Sequence, residues 1–206
     1  MPYLTLIRHG QSQWNLENRF TGWVDIPLSP GGEEEAHECA RLLKRFGAKY
    51  DVAYTSALVR AQDTLKIIME DDGWKMPVLK DKALNERMYG DLQGMNKDEM
   101  RKKFGRAQVQ IWRRSFDVAP PNGESLKDTA ARAVPYFRKH IMRDLKAGKN
   151  VLVSAHGNSL RAIIMEMERL TPKEVVALEL PTGVPYVYEF SGKKIVAKVV
   201  LGESKP

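Results

Sequence analysis

Cysteine occurs once in 206 residues, at Cys39. No intramolecular disulfide can form, and one thiol with four dispersed histidines argues against a structural zinc site. Cys39 falls in an amphipathic stretch, which predicts a buried thiol rather than a nucleophile. No apolar run approaches the roughly 20 residues that span a bilayer. The opening Met1-Pro2-Tyr3-Leu4 has neither the basic segment nor the long apolar core of a secretory signal, so the cytoplasm is the expected compartment and no membrane partner is expected. Low-complexity tracts and 20-to-50-residue repeats are also missing. Basic residues outnumber acidic ones, 33 to 26, for a net charge of +7, yet there is no long basic run. Lysines and arginines alternate with acids, as in Asp98-Glu99-Met100-Arg101-Lys102-Lys103. That pattern argues against nucleic acid and suits a small anionic metabolite.

What is present is a hydrophobic fraction of 43% and a charged fraction of 29%, the mixture of an ordinary globular domain. A chain of this length buries roughly 70% of its unfolded surface without staples. Two of the four histidines precede glycine, and each His-Gly ends a short apolar run: Leu4-Thr5-Leu6-Ile7-Arg8-His9-Gly10 and Val151-Leu152-Val153-Ser154-Ala155-His156-Gly157. Such runs read as buried strands, and in α/β proteins ligands bind beyond the carboxyl ends of strands. Both imidazoles are therefore candidates for one shared site.

Between these anchors, residues 11–30 lack periodicity and predict a long functional loop. Residues 32–46 carry Ala36, Cys39, Ala40, Leu43 and Phe46 at helical spacing, with Glu33, Glu34 and Glu35 at the positive end of the dipole. Residues 51–56 read as a strand, followed by a helix with Leu58, Ala61, Leu65, Ile68 and Met69 on one stripe and Arg60 in its first turn, a ready anion site. Residues 76–121 hold short strand or loop pieces and two helices. Within a single domain spanning 1–206, about 80–122 are expected to form a cap over the strand ends. Ser125 with Asp128 reads as a capping box for a helix reaching about Leu145, in which Pro135 implies a kink or a late restart and which Gly148 closes. After the second strand, residues 158–169 form a helix, with Leu160, Ile163, Ile164 and Met167 on its apolar face. A hairpin follows around Ser191-Gly192-Lys193-Lys194. The order predicts a three-layer α/β/α fold with a mainly parallel central sheet and an antiparallel edge.

An imidazole such as His9 is a good nucleophile at neutral pH when something receives the developing negative charge. Arg8 and Arg60 can do so for a phosphoryl group, because guanidinium forks match phosphate oxygens and stay charged. Gly10 would let the backbone come close to a ligand. Glu86, in Leu84-Asn85-Glu86-Arg87-Met88-Tyr89-Gly90, is a candidate proton donor and acceptor whose burial would raise its pKa toward the working range; a plain surface glutamate is the rival reading. His37 and His140 lie among charged residues on predicted helices and read as surface or boundary histidines. Arg113-Arg114 alone reads as a solvated pair. Trp14, Trp23, Trp74 and Trp112 read as packing residues.

Seven strings taken together point further: Arg8-His9-Gly10-Gln11-Ser12, Phe20-Thr21-Gly22-Trp23-Val24-Asp25, Tyr54-Thr55-Ser56, Leu84-Asn85-Glu86-Arg87, Tyr89-Gly90-Asp91-Leu92-Gln93-Gly94, Arg113-Arg114-Ser115-Phe116-Asp117 and Ala155-His156-Gly157-Asn158-Ser159-Leu160-Arg161. The chain resembles, nearly end to end, the cofactor-dependent phosphoglycerate mutases of the histidine phosphatase superfamily. Arg-His-Gly alone marks only the superfamily, whereas the Thr-Gly-Trp, Asn-Glu-Arg and Arg-Arg-Ser-Phe-Asp strings are more specific to the mutase branch. The resemblance implies a phosphoglycerate mutase-like fold and interconversion of 3-phosphoglycerate and 2-phosphoglycerate through a phosphohistidine, in glycolysis and gluconeogenesis. It implies 2,3-bisphosphoglycerate as primer and intermediate, no metal, and phosphoglycerates rather than nucleic acid as partners.

By the same resemblance His9 is the residue phosphorylated, Glu86 the proton carrier, and His156 the stabiliser of the transferring group. Arg8, Asn15, Arg60, Gly157 and Asn158 match the phosphate pocket. Gln11, Ser12, Thr21, Gly22, Arg87, Tyr89, Lys97, Arg113 and Arg114 match positions around the carboxylate and second phosphate. Three departures stand out. Met88 replaces a histidine of many members, Pro120-Pro121-Asn122-Gly123-Glu124-Ser125 runs straight on where longer members carry an insertion, and Leu201-Gly202-Glu203-Ser204-Lys205-Pro206 leaves little tail. Homodimer and monomer are both open. A histidine phosphatase, or a bisphosphoglycerate synthase or phosphatase, is the alternative on the same chemistry; a non-catalytic polyanion-binding protein is a distant one.

Overall fold

Side-chain alternation in the first strand, β1 (Tyr3–Arg8), sets the layering of the molecule. The computed structural model describes residues 1–202; Glu203, Ser204, Lys205 and Pro206, the end of the short tail read above, lie outside the described residues. The chain continues through α1 (Gln13–Leu16), α2 (Pro30–Phe46), β2 (Val52–Thr55), α3 (Val59–Asp72), β3 (Val78–Lys80), α4 (Lys97–Phe104), α5 (Arg106–Arg114), α6 (Leu126–Tyr136), α7 (Met142–Lys146), β4 (Val151–Ala155), α8 (Gly157–Glu168), α9 (Pro172–Ala177), β5 (Pro185–Ser191) and β6 (Lys194–Val200). The strands form one sheet in the order β3-β2-β4-β1-β5-β6. The first four of these are parallel, and the antiparallel edge is the two-stranded hairpin β5-β6.

Leu4 and Leu6 of β1, with Tyr54, Val151 and Val153, face Phe137, Ile141, Leu145, Leu160, Ile163 and Ile164. Ile7, Ala53 and Leu152 face the opposite way, onto Cys39, Ala40, Leu43, Leu65 and Ile68 of α2 and α3. Each fully buried aliphatic side chain of this kind contributes about 1.5–3 kcal/mol. The fold is the expected three-layer α/β/α arrangement. A third, smaller core gathers Phe20 with Leu92, Met100 and Val109, and it ties α4 and α5 to the loop after β1. Among the described residues no helix is long and apolar enough to cross a membrane.

Local chemistry accounts for the differences from the sequence reading. The 11–30 stretch contains one helical turn, α1, because Ser12 Oγ accepts the Asn15 N–H while Asn15 Oδ1 accepts the Ser12 N–H. Helix α2 begins two residues earlier than its apolar stripe suggests, with Ser29 as N-cap and Pro30 at the first position. A further helix, α9, opens on a Thr171–Glu174 capping box with Pro172 behind it. Helix α6 runs through Pro135 without restarting; the turn that follows, Phe137–Ile141, widens to a π-type turn before α7 resumes.

Candidate active site

Strands β1 and β4 are parallel neighbours with Arg8 opposite Ala155, and the His9 N–H extends the ladder to Ala155 O at 3.0 Å. The residues that follow, His9 and His156, leave the sheet side by side, with ring centroids 4.9 Å apart and planes at 61°. One lane over, β2 ends with Thr55 opposite Ser154, which delivers Ser56 Oγ to His156 Nε2 at 2.7 Å. Gly10 has a different reason from the one expected. A Cβ there would lie 2.1 Å from Gly32 O, so the close approach is to the first turn of α2 rather than to a ligand.

His9 Nδ1 lies 2.6 Å from Gly10 O. A carbonyl only accepts, so Nδ1 carries the hydrogen and Nε2 holds the lone pair. Arg60 Nε donates toward that nitrogen at 3.3 Å, while Nη1 and Nη2 donate to Val24 O and Gly22 O at 3.1 and 2.8 Å. The positive φ of Gly22, +58°, turns its carbonyl into that position. Burial, then the Arg60 and Arg8 charges, hold the His9 imidazole well below its ordinary pKa against the pull of the Gly10 carbonyl. Burial also lowers Arg60 to about 10, with Glu86 and Asp25 opposing and Arg8 adding, so it stays charged at neutral pH. His156 is fully buried and is held well below its ordinary value by burial and then by Arg60, His9 and Arg8; its Nδ1 has no partner.

Glu86 sits half-buried on the segment after β3, and one oxygen, Oε1, accepts from the Arg87 N–H (2.7 Å), the Asn158 side-chain amide (2.8 Å) and the Asn158 N–H (3.2 Å). Burial pushes this carboxyl up, but those donors and the Arg8 and Arg60 charges outweigh it and leave the pKa below the ordinary value. The expectation of a raised pKa is therefore corrected: hydrogen bonds to the ionised form win over desolvation. The Glu86 carbonyl is held in turn by Trp23 Nε1 at 2.5 Å and Arg132 Nη2 at 2.8 Å. Trp23 thus does more than pack.

A cavity of about 160 Å³ opens beside these groups, and Arg8, His9, Asn15, Thr21, Gly22, Arg60, Glu86, Tyr89, Lys97, Arg113, Arg114, Gly157 and Asn158 line it. Four residues singled out in the sequence are not in its wall. His156 packs on His9; the Gln11 N–H is spent on Glu35 and its side-chain oxygen on Ser29; Ser12 caps α1. Arg87 is buried and donates to Tyr89 Oη at 3.0 Å and Arg113 O at 2.5 Å, so it orders two wall residues. Lys97 is pushed down to about 8 by burial and then by the Arg113, Arg8 and Arg101 charges, with Asp98 opposing. Arg8 Nε, Arg87 Nε and Nη1, Arg114 Nη1, Thr21 Oγ1 and His156 Nδ1 are all buried without a partner. An unpaired buried donor costs about 1–3 kcal/mol, so a cluster of them marks a seat for acceptor oxygens. Two imidazoles, one ionised carboxylate and a cation-lined wall are the apparatus of phosphoryl transfer through a histidine.

A family model described as histidine phosphatase superfamily (branch 1) matches residues 4–201. The chain belongs to the histidine phosphatase superfamily. Among similar relatives, a 2,3-bisphosphoglycerate-dependent phosphoglycerate mutase of Rhizobium rhizogenes is 54% identical over 97% of this chain and 96% of its own length. One of the same name from Bradyrhizobium diazoefficiens is 56% identical over 94% of each. Solved structures of similar fold include Bacillus stearothermophilus YhfR, with 28% identity, a TM-score of 0.81 and coverage of 95% and 94% of the two chains. They also include a mycobacterial glucosyl-3-phosphoglycerate phosphatase in complex with VO3, with 25% identity, a TM-score of 0.81 and 97% of each chain covered.

In this superfamily member the wall also holds Arg19, Phe20, Arg161 and Glu179, which sequence reasoning did not select. Arg161 had a signal: it stands four residues after Gly157 on α8, one turn above the helix start. Ser56 stood in the Tyr54-Thr55-Ser56 string without an assigned role, and the sheet order brings it to His156; Glu179 had no signal, since only the segment before β5 brings it in.

Proposed function

We propose that this chain is a 2,3-bisphosphoglycerate-dependent phosphoglycerate mutase, interconverting 3-phosphoglycerate and 2-phosphoglycerate as a cytoplasmic enzyme of glycolysis and gluconeogenesis. The observation that carries the reading is a neutral, buried His9 whose Nε2 holds the lone pair and faces Arg60, in the same small cavity as Lys97, Arg113 and Arg114. One lobe suits a transferring phosphoryl group and the other a second anionic group on the same molecule. The names of the relatives support the same substrate.

In this reading His9 Nε2 takes and returns the phosphoryl group, and Arg8, Arg60, Asn15, Gly157 and Asn158 hold its oxygens. His156, with its unpartnered Nδ1, stabilises charge that develops in flight. Glu86, ionised against Asn158, takes the proton of the attacking hydroxyl and gives it back to the departing one. Thr21, Gly22, Tyr89, Lys97, Arg113 and Arg114 orient the remaining anionic groups, while Gln11, Ser12 and Arg87 brace the loops that present them. Residues about 80–122 act as the cap. The unpartnered donors of Arg8, Arg114 and Thr21, all in the cavity wall, fit the acceptor oxygens of a phosphoglycerate. When bound, 2,3-bisphosphoglycerate supplies the phosphoryl group that charges His9.

Isomerisation of 3-phosphoglycerate, followed directly by phosphorus NMR in chelator with and without a trace of 2,3-bisphosphoglycerate, tests the reading. Stimulation by the bisphosphate is expected; its absence, or loss of turnover in chelator, contradicts it. The His9→Ala chain is expected to lose both turnover and acid-labile phosphate incorporation. Hydrolysis of a phosphorylated His9 is the second reading, favoured by the fold match to a phosphatase. Phosphate release exceeding isomer formation in the same spectra selects it.

A further inference from the structure

Besides Glu86, the cavity wall contains one carboxylate, Glu179, on the segment between α9 and β5. Arg114 Nη2 lies 2.8 Å from its Oε1, and Arg161 Nη2 lies 3.8 Å from its Oε2. The partners differ sharply in shelter: the Arg114 and Arg161 side chains are 27% and 10% exposed, whereas that of Glu179 is 69% exposed. The backbone on either side is fastened to the same site. Leu178 O accepts from Arg161 Nε at 2.8 Å, and Leu180 O accepts from Arg8 Nη1 at 2.9 Å. The Glu179 side chain, by contrast, is held by its ion pairs and is mostly open to solvent. Even with this carboxylate in place, Arg114 Nη1 remains buried and unpartnered, so the lobe is neutralised but not satisfied.

We propose that Glu179 is a displaceable counter-ion, a carboxylate that occupies the Arg114–Arg161 lobe until an anionic group of the substrate takes its place. It rests on the mutase reading for the substrate's identity, and on geometry for the competition. Because the Glu179 end of the pair is 69% exposed, solvent screening keeps its hold on the arginines to a factor of about five. A multiply charged phosphate, with more acceptor oxygens for the unpartnered donor, displaces it. A weakly charged ligand does not. Glu179 thereby sets a threshold of charge for entry while offsetting the repulsion between the arginines when no substrate is present.

The test is Glu179→Gln, read by the KM for 3-phosphoglycerate and the inhibition constant of inorganic phosphate. Because the same competitor is removed in both cases, both constants are expected to fall together, by about two- to fivefold. Unchanged constants overturn the proposal. So do raised ones, which would make Glu179 a brace that holds the arginines in position. Calorimetric binding of 2,3-bisphosphoglycerate to both chains, without turnover, separates this proposal from the functional reading. If the parent chain isomerises nothing and Glu179→Gln still binds the bisphosphate more tightly, the mutase reading falls and the counter-ion stands. If the parent isomerises and the variant binds no more tightly, the counter-ion falls alone.

Discussion

At the scale of single residues, burial beside arginines displaces His9 and Lys97 in the same direction, and the two shifts act on opposite limbs of a pH profile. An imidazole held well below its ordinary value is neutral throughout the working range, so no acid limb near pH 6.5 is expected from His9, the proposed nucleophile. Lys97 behaves otherwise. An anion binds to its charged form, so affinity is complete below about 8 and is lost as pH rises through that value. The KM for 3-phosphoglycerate is expected to climb above pH 8, by up to about tenfold per unit for a single group. Lys97→Met should raise KM at pH 7 and remove the climb. A KM that stays flat to pH 9 in the parent chain would contradict the assignment.

At the scale of elements, α6 fixes the segment that carries Glu86, the proposed proton carrier. Arg132 Nη1 donates to Ala83 O and Asn85 O at 2.9 and 3.0 Å, Nη2 donates to Glu86 O, and Nε pairs with Glu124 Oε1 at 3.0 Å. Glu124 Oε2 completes the clamp by accepting the Met88 N–H at 3.0 Å. Lysine keeps the charge but has no fork. Arg132→Lys is therefore expected to lower kcat about 10- to 100-fold with little change in KM, because it loosens Glu86 and leaves the cationic wall intact. Activity within twofold of the parent would show that the clamp is dispensable. This arrangement also marks the boundary of what could be read from sequence. The α2 stripe and the Ser125–Asp128 box depend on neighbours within four residues and were legible. The direction of the Glu86 shift sets burial against the neighbouring Arg87 N–H first, then Asn158, 72 residues away, and the Arg8 and Arg60 charges, a balance that no local pattern could reveal. The boxes of α1 and α9 were legible in principle, but each opens a helix too short to show an apolar period.

At the scale of the molecule, the net charge of +7 finds its concentrated expression in the cation-lined cavity. Long-range attraction to a small anion is screened within roughly 8 Å at physiological salt. The kcat/KM for 3-phosphoglycerate is thus expected to fall several-fold as sodium chloride rises from about 0.01 to 0.2 M, with kcat unchanged. A flat profile would confine the charge to local contacts. The two His-Gly strings were legible as strand ends, but their adjacency was not, because strand order is set by crossovers rather than by either run. That order carries a consequence for synthesis. Strand β1 is made first, yet its two neighbours, β4 and β5, lie beyond residue 150. The strand that leaves the ribosome earliest must wait with both edges unpaired until most of the chain has followed, which slows folding and invites pairing with other chains. The His9 and His156 imidazoles meet only when that wait ends, so no nascent fragment that stops short of β4 holds the pair.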